Sequence, residues 1–187
     1  MATLPLFDRP AGAQSSELLC GEAFAALDIG GGWAWGYCVH DHYVGYVRFD
    51  GLGTDRNPPE ESPVAEDPAA IAETMLGSPY LAGGRSIAGI DCSGLVQAAL
   101  APFGIAAPRD SDLQRDTLGI DLPPGAALSR NDLIFFPGHV GLMADADRII
   151  HATGSAGAVV VEPLADVLAR LASAAGPVEM RAKRLSL

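Results

Sequence analysis

Basic residues are scarce in this sequence. It contains 12 Lys and Arg against 23 Asp and Glu, which gives a formal net charge of −11. Proteins that bind nucleic acid depend on clustered Lys and Arg to neutralise phosphates. The shortage therefore argues against a nucleic-acid partner and favours a small or neutral ligand.

Long apolar runs are also missing. No window approaches the roughly 18 consecutive apolar residues that a membrane span requires. The first residues, MATLPLFDRPAGAQ, lack the basic start and the long apolar stretch of a secretory signal. We therefore expect a cytoplasmic protein with no membrane partner.

Cysteine is rare, with Cys20, Cys38 and Cys92 as its three occurrences. They form no CxxC pair or other spacing typical of a metal site, and an odd count leaves at least one thiol free. This usage fits a reducing compartment better than a disulfide framework. We expect Cys20 and Cys38 to be packing residues, and we expect neither a metal nor a cofactor.

The chain of 187 residues, 49% of them hydrophobic, divides into two parts. Residues 13–53 contain strand-like pieces such as WAWGYCV and YVGYVRF, separated by the turn-like segments DIGGG and HDH, and predict a small β domain. Its tryptophans and tyrosines are expected to form the core of a small barrel, with a ligand shelf as the alternative. Residues 54–67 are acidic and rich in proline, which predicts a linker before a second domain at 68–187.

The second domain begins with helical signals and continues with strand signals. Asp67 and Pro68 suit the N-cap and first position of a helix, and apolar residues recur at helical spacing after Cys92. LIFF, HVGLMA and RIIHA read as strands, LADVLARLASA as a helix and PVEMRAKRL as a closing strand. This order predicts an α+β domain with an antiparallel sheet.

Cys92 falls in the first turn of the second predicted helix. Unpaired N–H groups and the positive end of the helix dipole favour a thiolate there, and the same N–H groups can form an oxyanion hole. A cysteine on an apolar helix is also a common core residue. The sequence at this point leaves both interpretations open.

A nucleophilic thiol needs a base, and two of the four histidines lie on adjacent predicted strands. If Ala144 pairs with Arg148, His151 lies opposite Gly141, and His139 becomes its diagonal neighbour on the same face. Gly141 would leave space beside the rings. One histidine can then act as the base while the other orients it.

Two other interpretations of the histidines are weaker. A zinc site made of Cys92 and this histidine pair matches no compact zinc motif. His40 and His42 lie in a polar turn, where a solvated loop is the simpler interpretation.

Three segments together resemble the NlpC/P60 cysteine peptidases, which are papain-like hydrolases of the bacterial cell wall. The segments are SPYLAGGRSIAGIDCSGLVQAAL, PRDSDLQ and NDLIFFPGHVGLMADADRIIHAT. The GWAWG and GYV pieces of the first domain look like a bacterial SH3 module. The resemblance implies a papain-like α+β catalytic domain with an antiparallel sheet, preceded by a small SH3-like β barrel.

The same resemblance assigns roles to individual residues. It implies that Cys92 is the nucleophile, His139 the general base and His151 the residue that orients the base. It further implies that a pocket for the free amine of an N-terminal L-alanine is lined by Tyr80, Asp91, Ser93 and Ser111. An alanine, Ala82, stands where relatives usually carry a tryptophan of the pocket wall.

The implied activity is hydrolysis of peptidoglycan stem peptides by a cysteine endopeptidase. The implied bond is the one between D-γ-glutamate and the diamino acid in free L-Ala-γ-D-Glu-diamino acid fragments, as in cytoplasmic cell wall turnover. One alternative is a papain-like amidase or acyltransferase that acts on another acyl group. The other is an inactive module that binds wall fragments.

Overall fold

A computed structural model of the chain describes residues 3–53, 65–176 and 178–186. Most of the predicted linker, residues 54–64, lies outside the described residues. Two antiparallel sheets dominate the described part, one in each predicted domain. None of the described helices is long and apolar enough to cross a membrane.

The first domain is a five-stranded antiparallel sheet with the order β2-β1-β5-β4-β3. Its strands are β1 (Thr3–Phe7), β2 (Gln14–Leu19), β3 (Phe24–Gly30), β4 (Trp33–Cys38) and β5 (Val44–Arg48). The sheet starts ahead of the predicted boundary at residue 13, because β1 pairs with both β2 and β5 and places the fully buried Leu6 in the core. The predicted DIGGG turn is shorter than expected. Strand β3 continues through Gly30, and Gly31 and Gly32 alone form the hairpin turn, with φ of 59° and 80°.

The core of the first domain contains small and aliphatic residues rather than the aromatic cluster. It consists of Leu6, Leu18, Ala34, Cys38 and Val47. Side chains alternate along a strand, so the inward positions of WAWGYC fall to Ala34, Gly36 and Cys38, and Trp35 is left 38% exposed. The expectation of an aromatic core is therefore wrong, although Tyr43 does pack against this cluster. The expectation that Cys20 is a packing residue is also wrong, since it is exposed.

The second domain combines four helices with a six-stranded antiparallel sheet of order β12-β11-β10-β9-β13-β8, as the sequence predicts. A two-stranded ribbon joins β6 and β7. The elements are α1 (Pro68–Thr74), β6 (Arg85–Ser86), β7 (Gly89–Ile90), α2 (Cys92–Leu100), α3 (Ser111–Thr117), β8 (Ile120–Asp121), β9 (Leu133–Phe136), β10 (His139–Met143), β11 (Arg148–Thr153), β12 (Ala158–Pro163), α4 (Leu164–Ala175) and β13 (Arg181–Arg184).

Helix α2 begins where its capping signal predicts. Asp91 Oδ1 accepts a hydrogen bond from the Gly94 amide at 2.8 Å, and Asp67 caps α1 in the same way. The apolar side chains of α2 belong to one core cluster with Val140 and Leu142 of β10. The start of α2 is therefore fixed against the middle of the sheet.

Polar contacts join the first domain to α2 and to the segment in front of it. The Arg85 guanidinium makes two hydrogen bonds to the Glu22 carboxylate, at 2.7 and 2.9 Å, and a third to Gln97 Oε1 of α2 at 2.9 Å. Arg109 Nε donates to Ser16 Oγ at 3.1 Å. These buried and half-buried contacts place one edge of the first sheet beside the region that holds Cys92.

Candidate active site

Cys92 is the first residue of α2, and its side chain meets the start of β10. The residue is 8% exposed and packs in one core cluster with Val140 of β10. Because Val140 directly follows His139, the first residue of α2 faces the first residues of the histidine strand. The fold thus brings together two residues that are 47 positions apart (139 − 92) in the sequence.

The surroundings of the Cys92 thiol disfavour its thiolate form on balance. Burial raises its pKa and Asp91 raises it further, which outweighs the lowering by the amides of Val140 and Ser93 and by Arg109. The helix start does lower this pKa, as expected, but desolvation of the thiolate exceeds that stabilisation, so the net shift is upward. The thiol needs a base in contact with it to become a nucleophile.

The two histidines occupy the predicted register. Leu142 pairs with Ile150 and Met143 with Ile149, which is the alignment that follows from an Ala144–Arg148 closure. His139 Nε2 lies 2.7 Å from His151 Nδ1.

Gly141 has a different role from the one expected. A Cβ there would lie 2.7 Å from the Ile149 side chain and 2.9 Å from the Ile150 carbonyl oxygen. The absent side chain makes room for Ile149 rather than for the histidine rings.

Two residues that the sequence analysis missed extend the histidine pair. His151 Nε2 lies 2.7 Å from Glu162 Oε1, and the Glu162 carboxylate accepts two hydrogen bonds from Arg170, at 2.9 and 2.7 Å. Glu162 lies on β12, which pairs with β11 and was not predicted as a strand. The β-branched run AVVVE, which follows the strand of His151 after a short turn, is the sequence signal that could have predicted this strand.

The hydrogen bonds from Glu162 through His151 to His139 fix the tautomer of each imidazole ring. Arg170 lowers the pKa of Glu162, so the carboxylate is ionised and accepts the Nε2–H of His151. Burial lowers the pKa of His151, and the neutral ring then offers Nδ1 as acceptor to the Nε2–H of His139. His139 retains an unprotonated Nδ1, the atom that a general base requires.

His139 is neutral at physiological pH. Burial, the neighbouring His151 and Arg170 together lower its pKa to about 4, although Asp91 and Glu162 act in the opposite direction. The neutral ring can accept a proton, as a general base must.

The predicted substrate residues meet around one cavity of about 490 Å³. Its lining includes Tyr80, Asp91, Cys92, Ser93 and Ser111, all of which the sequence analysis named. It also includes Ser15 of the first domain, Arg109, Asp110, Asp112 and Gly138, which the sequence analysis did not name.

Asp91 already has a charged partner within the protein. Arg109 donates to Asp91 Oδ1 at 3.0 Å and to Oδ2 at 2.6 Å, and the amides of Gly83 and Gly94 each donate to the same carboxylate at 2.8 Å. Arg109 also donates to Ser93 Oγ at 2.7 Å. Asp91 therefore braces the loop and the helix start, and its charge is balanced. The assignment of Asp91, Ser93, Tyr80 and Ser111 to substrate remains a prediction.

Asp110 and Asp112 leave the cavity lining negative. Asp110 occupies the N-cap position of α3, a fully described helix, but its side chain makes no capping hydrogen bond there. The Asp110 carboxylate instead contacts the Tyr43 side chain, and Tyr43 also contacts Ser15. Burial raises the pKa of Asp110. The first domain thus reaches the cavity through Ser15, and the lining favours a cationic group.

Two family models match separate parts of the chain. Residues 77–170 match the model of the NlpC/P60 family, and residues 6–52 match that of the bacterial dipeptidyl-peptidase Sh3 domain. The peptidoglycan endopeptidase RipB of Mycobacterium tuberculosis is 39% identical over 110 residues, which are 50% of this chain and 45% of RipB. A gamma-D-glutamyl-L-lysine dipeptidyl-peptidase of Bacillus cereus is 32% identical over 112 residues, 55% of this chain and 33% of that protein. The chain thus spans less than half the length of both relatives.

Solved structures show the same fold. The structure of RipB from M. tuberculosis has a TM-score of 0.54 at 34% identity and covers 65% of each chain. An NlpC/P60 family protein from Bacillus cereus has a TM-score of 0.54 at 21% identity and covers 98% of this chain and 63% of that one. Because it covers nearly the whole chain, the second structure supports the combined fold of both domains.

Proposed function

Because the chain belongs to the NlpC/P60 family, we propose that it is a cysteine peptidase that hydrolyses peptidoglycan peptides. The observation that carries this proposal is the chain of hydrogen bonds from Glu162 through His151 to His139. His139 begins the strand whose next residue, Val140, packs in one core cluster with Cys92, and Cys92 lines a ligand-sized cavity. The names of the RipB and dipeptidyl-peptidase relatives support peptidoglycan as the substrate.

The geometry supports acyl transfer through a thioester. His139 Nδ1 takes the proton of Cys92 while the sulfur attacks the carbonyl carbon of the substrate. We place the developing oxyanion at the N-terminus of α2, where the positive end of the helix dipole stabilises negative charge. The protonated His139 then gives its proton to the leaving amine, and the same ring activates the water that releases the acyl group.

For the substrate, we propose free L-Ala-γ-D-Glu-diamino acid fragments, cut after D-γ-glutamate. The two Bacillus relatives named gamma-D-glutamyl-L-lysine dipeptidyl-peptidases support this bond. The negative lining from Asp110 and Asp112 supports recognition of an α-ammonium, and the approach of Ser15 from the first domain supports a short substrate. If the α-ammonium of the substrate is held in the cavity, its position determines which peptide bond lies at the Cys92 thiol. We propose that this is the bond after the second residue, D-γ-glutamate.

We further propose that the protein acts in the cytoplasm during cell wall turnover. All three cysteines are free thiols, as is usual in a reducing compartment. The net charge of −11 favours small soluble fragments over the anionic wall polymer. Cell fractionation followed by immunoblotting tests the location, and recovery of the protein outside the cytoplasm would overturn it.

Incubation with L-Ala-γ-D-Glu-diaminopimelate and mass analysis of the products tests the activity. We expect L-Ala-γ-D-Glu and free diaminopimelate with the wild type and no turnover with Cys92→Ala. Release of a different acyl group from other amides, with this substrate left intact, would favour the amidase or acyltransferase alternative. Binding of the peptide without any turnover would favour a binding module.

A further inference from the structure

A second group of metal-ligand side chains lies in the first domain, in the turn between β4 and β5. Cys38, His40 and Asp41 each place one ligand atom within 4.8 Å of the others. His40 Nε2 is 3.1 Å from Asp41 Oδ2. None of the three lines the cavity around Cys92 as described above, so this group is separate from the proposed active site.

The backbone of the turn holds these ligands in place. The Cys38 amide donates to the Tyr43 carbonyl at 2.9 Å, and the His42 amide donates to the Cys38 carbonyl at 2.8 Å. Asp41 Oδ1 accepts from the Tyr43 amide at 3.0 Å, which fixes the carboxylate. Cys38 is fully buried, whereas His40 is on the surface, so the group is open to solvent on one side.

The local charges suit a cation. Among the described ion pairs, Asp41 is paired with His40 and with no Lys or Arg side chain. A second carboxylate oxygen, Glu22 Oε1, lies 3.7 Å from His40 Nδ1. The nearby Arg85 guanidinium is paired to Glu22, which balances its charge. A dication held by the Asp41 carboxylate and a Cys38 thiolate would be neutralised by its own ligands.

We propose that Cys38, His40 and Asp41 bind one divalent transition-metal ion, for which zinc is the best match. A thiolate, an imidazole and a carboxylate are the ligand types of protein zinc sites, and three protein ligands leave a fourth position for water. Calcium and magnesium prefer oxygen ligands alone. On binding, the Cys38 thiol releases its proton to solvent as the S–metal bond forms. The proposal replaces the expectation of a chain without a metal.

The site is linked to the proposed active site through one hydrogen bond. Gln97 Nε2 of α2 donates to Asp41 Oδ2 at 2.9 Å, and Gln97 Oε1 accepts from Arg85. A metal that fixes Asp41 therefore also fixes the contact between the first domain and the helix that begins at Cys92. Metal binding to the native state raises its stability by mass action, so zinc should raise the Tm of the full chain.

Titration of the reduced full-length protein with Co²⁺ tests the proposal, because a cobalt–thiolate bond gives a charge-transfer absorption band. We expect the band in the wild type, in Cys20→Ser and in Cys92→Ser, with displacement by Zn²⁺. We expect its loss in Cys38→Ser. His40→Asn should weaken Co²⁺ affinity about tenfold or more, whereas His42→Asn, a matched change in the same turn, should not.

The cysteine variants distinguish a metal bound at Cys38 from a metal bound at another thiol. Asn tolerates the φ of 59° at His42, and His40 is exposed, so neither histidine variant threatens the fold. No band in the wild type would overturn the proposal, as would a band that persists in Cys38→Ser. A band lost in Cys92→Ser but retained in Cys38→Ser would place the metal at the proposed catalytic thiol and overturn it equally.

Discussion

His139 Nε2 and His151 Nδ1 lie 2.7 Å apart and share a single proton position. Because Glu162 accepts from the other nitrogen of His151, that proton belongs to His139. The pair thereby leaves Nδ1 of His139 free for the Cys92 thiol. Catalysis in the proposed reaction depends on this arrangement, and Glu162 and Arg170 act as positioning residues.

Glu162→Gln tests the positioning chain. A glutamine side chain keeps the size but removes the charge that selects the tautomer of His151, so we expect kcat to fall about tenfold to a hundredfold with little change in KM. Asp166→Asn on α4 is the matched control, because it removes an exposed carboxylate that is also near Arg170. Equal kcat values for wild type and Glu162→Gln would show that the carboxylate does not orient the histidines.

Cys92→Ala should abolish turnover and leave the fold intact. Alanine fits the first position of α2 and creates only a small cavity, so Tm should change little while kcat falls about a thousandfold or more. His139→Ala should be similarly inactive, and His151→Ala milder, because water can replace part of an orienting contact. Cys20→Ala, at an exposed position, serves as the control. Turnover by Cys92→Ala would remove the nucleophile assignment.

The acid limb of the pH profile of kcat/KM reports the pKa of the general base. The neutral form of His139 is the active one, and its pKa is lowered to about 4 from an ordinary 6.5, so kcat/KM should fall only as the pH drops towards about 4. Arg170 lowers this pKa and Glu162 raises it. Arg170→Gln should therefore shift the acid limb to higher pH and Glu162→Gln to lower pH. An acid limb centred near 6.5 in the wild type would contradict a buried, neutral base.

The main expected effect of Asp91→Asn is a lower stability of the fold. It leaves the buried Arg109 guanidinium without its charged partner, and breaking a buried pair in this way costs about 3–5 kcal/mol. For a chain of this size we expect the Tm to fall by roughly 6–20 °C. Asp112→Asn, at an exposed position, should change the free energy of unfolding by less than about 0.5 kcal/mol. An unchanged Tm for Asp91→Asn would show that the Arg109 pair is not structural.

Local patterns predicted the parts of the site that local geometry determines. The caps at Asp67 and Asp91 depend on a few consecutive residues, and the register of the histidine hairpin depends on one short turn. The resemblance supplied the roles of the catalytic residues and of the pocket.

The missed features depend on contacts between distant segments. Glu162 reaches His151 through a strand pairing, Arg109 reaches Asp91 from a separate loop, and Ser15 comes from the other domain. The pKa of Cys92 depends on burial, which the helix position alone does not reveal. For the same reason the sequence did not reveal that Asp91 is paired with Arg109, or that Asp110 and Asp112 add two further carboxylates to the cavity lining.

We expect the Asp110 carboxylate to bind the amine of the substrate. Asp110 lines the cavity with no capping role in the described helix α3, so an α-ammonium would donate a charge-assisted hydrogen bond to its carboxylate. Such a bond contributes about 1.5–3 kcal/mol. N-acetylation of the substrate's L-alanine removes the ammonium, and we expect kcat/KM to fall about tenfold to a hundredfold.

A comparison of two enzymes with two substrates separates this contact from a general loss of activity. Asp110→Asn should lose most of its kcat/KM on free L-Ala-γ-D-Glu-diaminopimelate but little on the acetylated peptide, because the partner charge is already gone there. Asp112→Asn removes a more exposed carboxylate of the same lining and should cost less. Equal kcat/KM of the wild type on both substrates would exclude amine recognition and favour an enzyme that cuts stems still attached to the glycan.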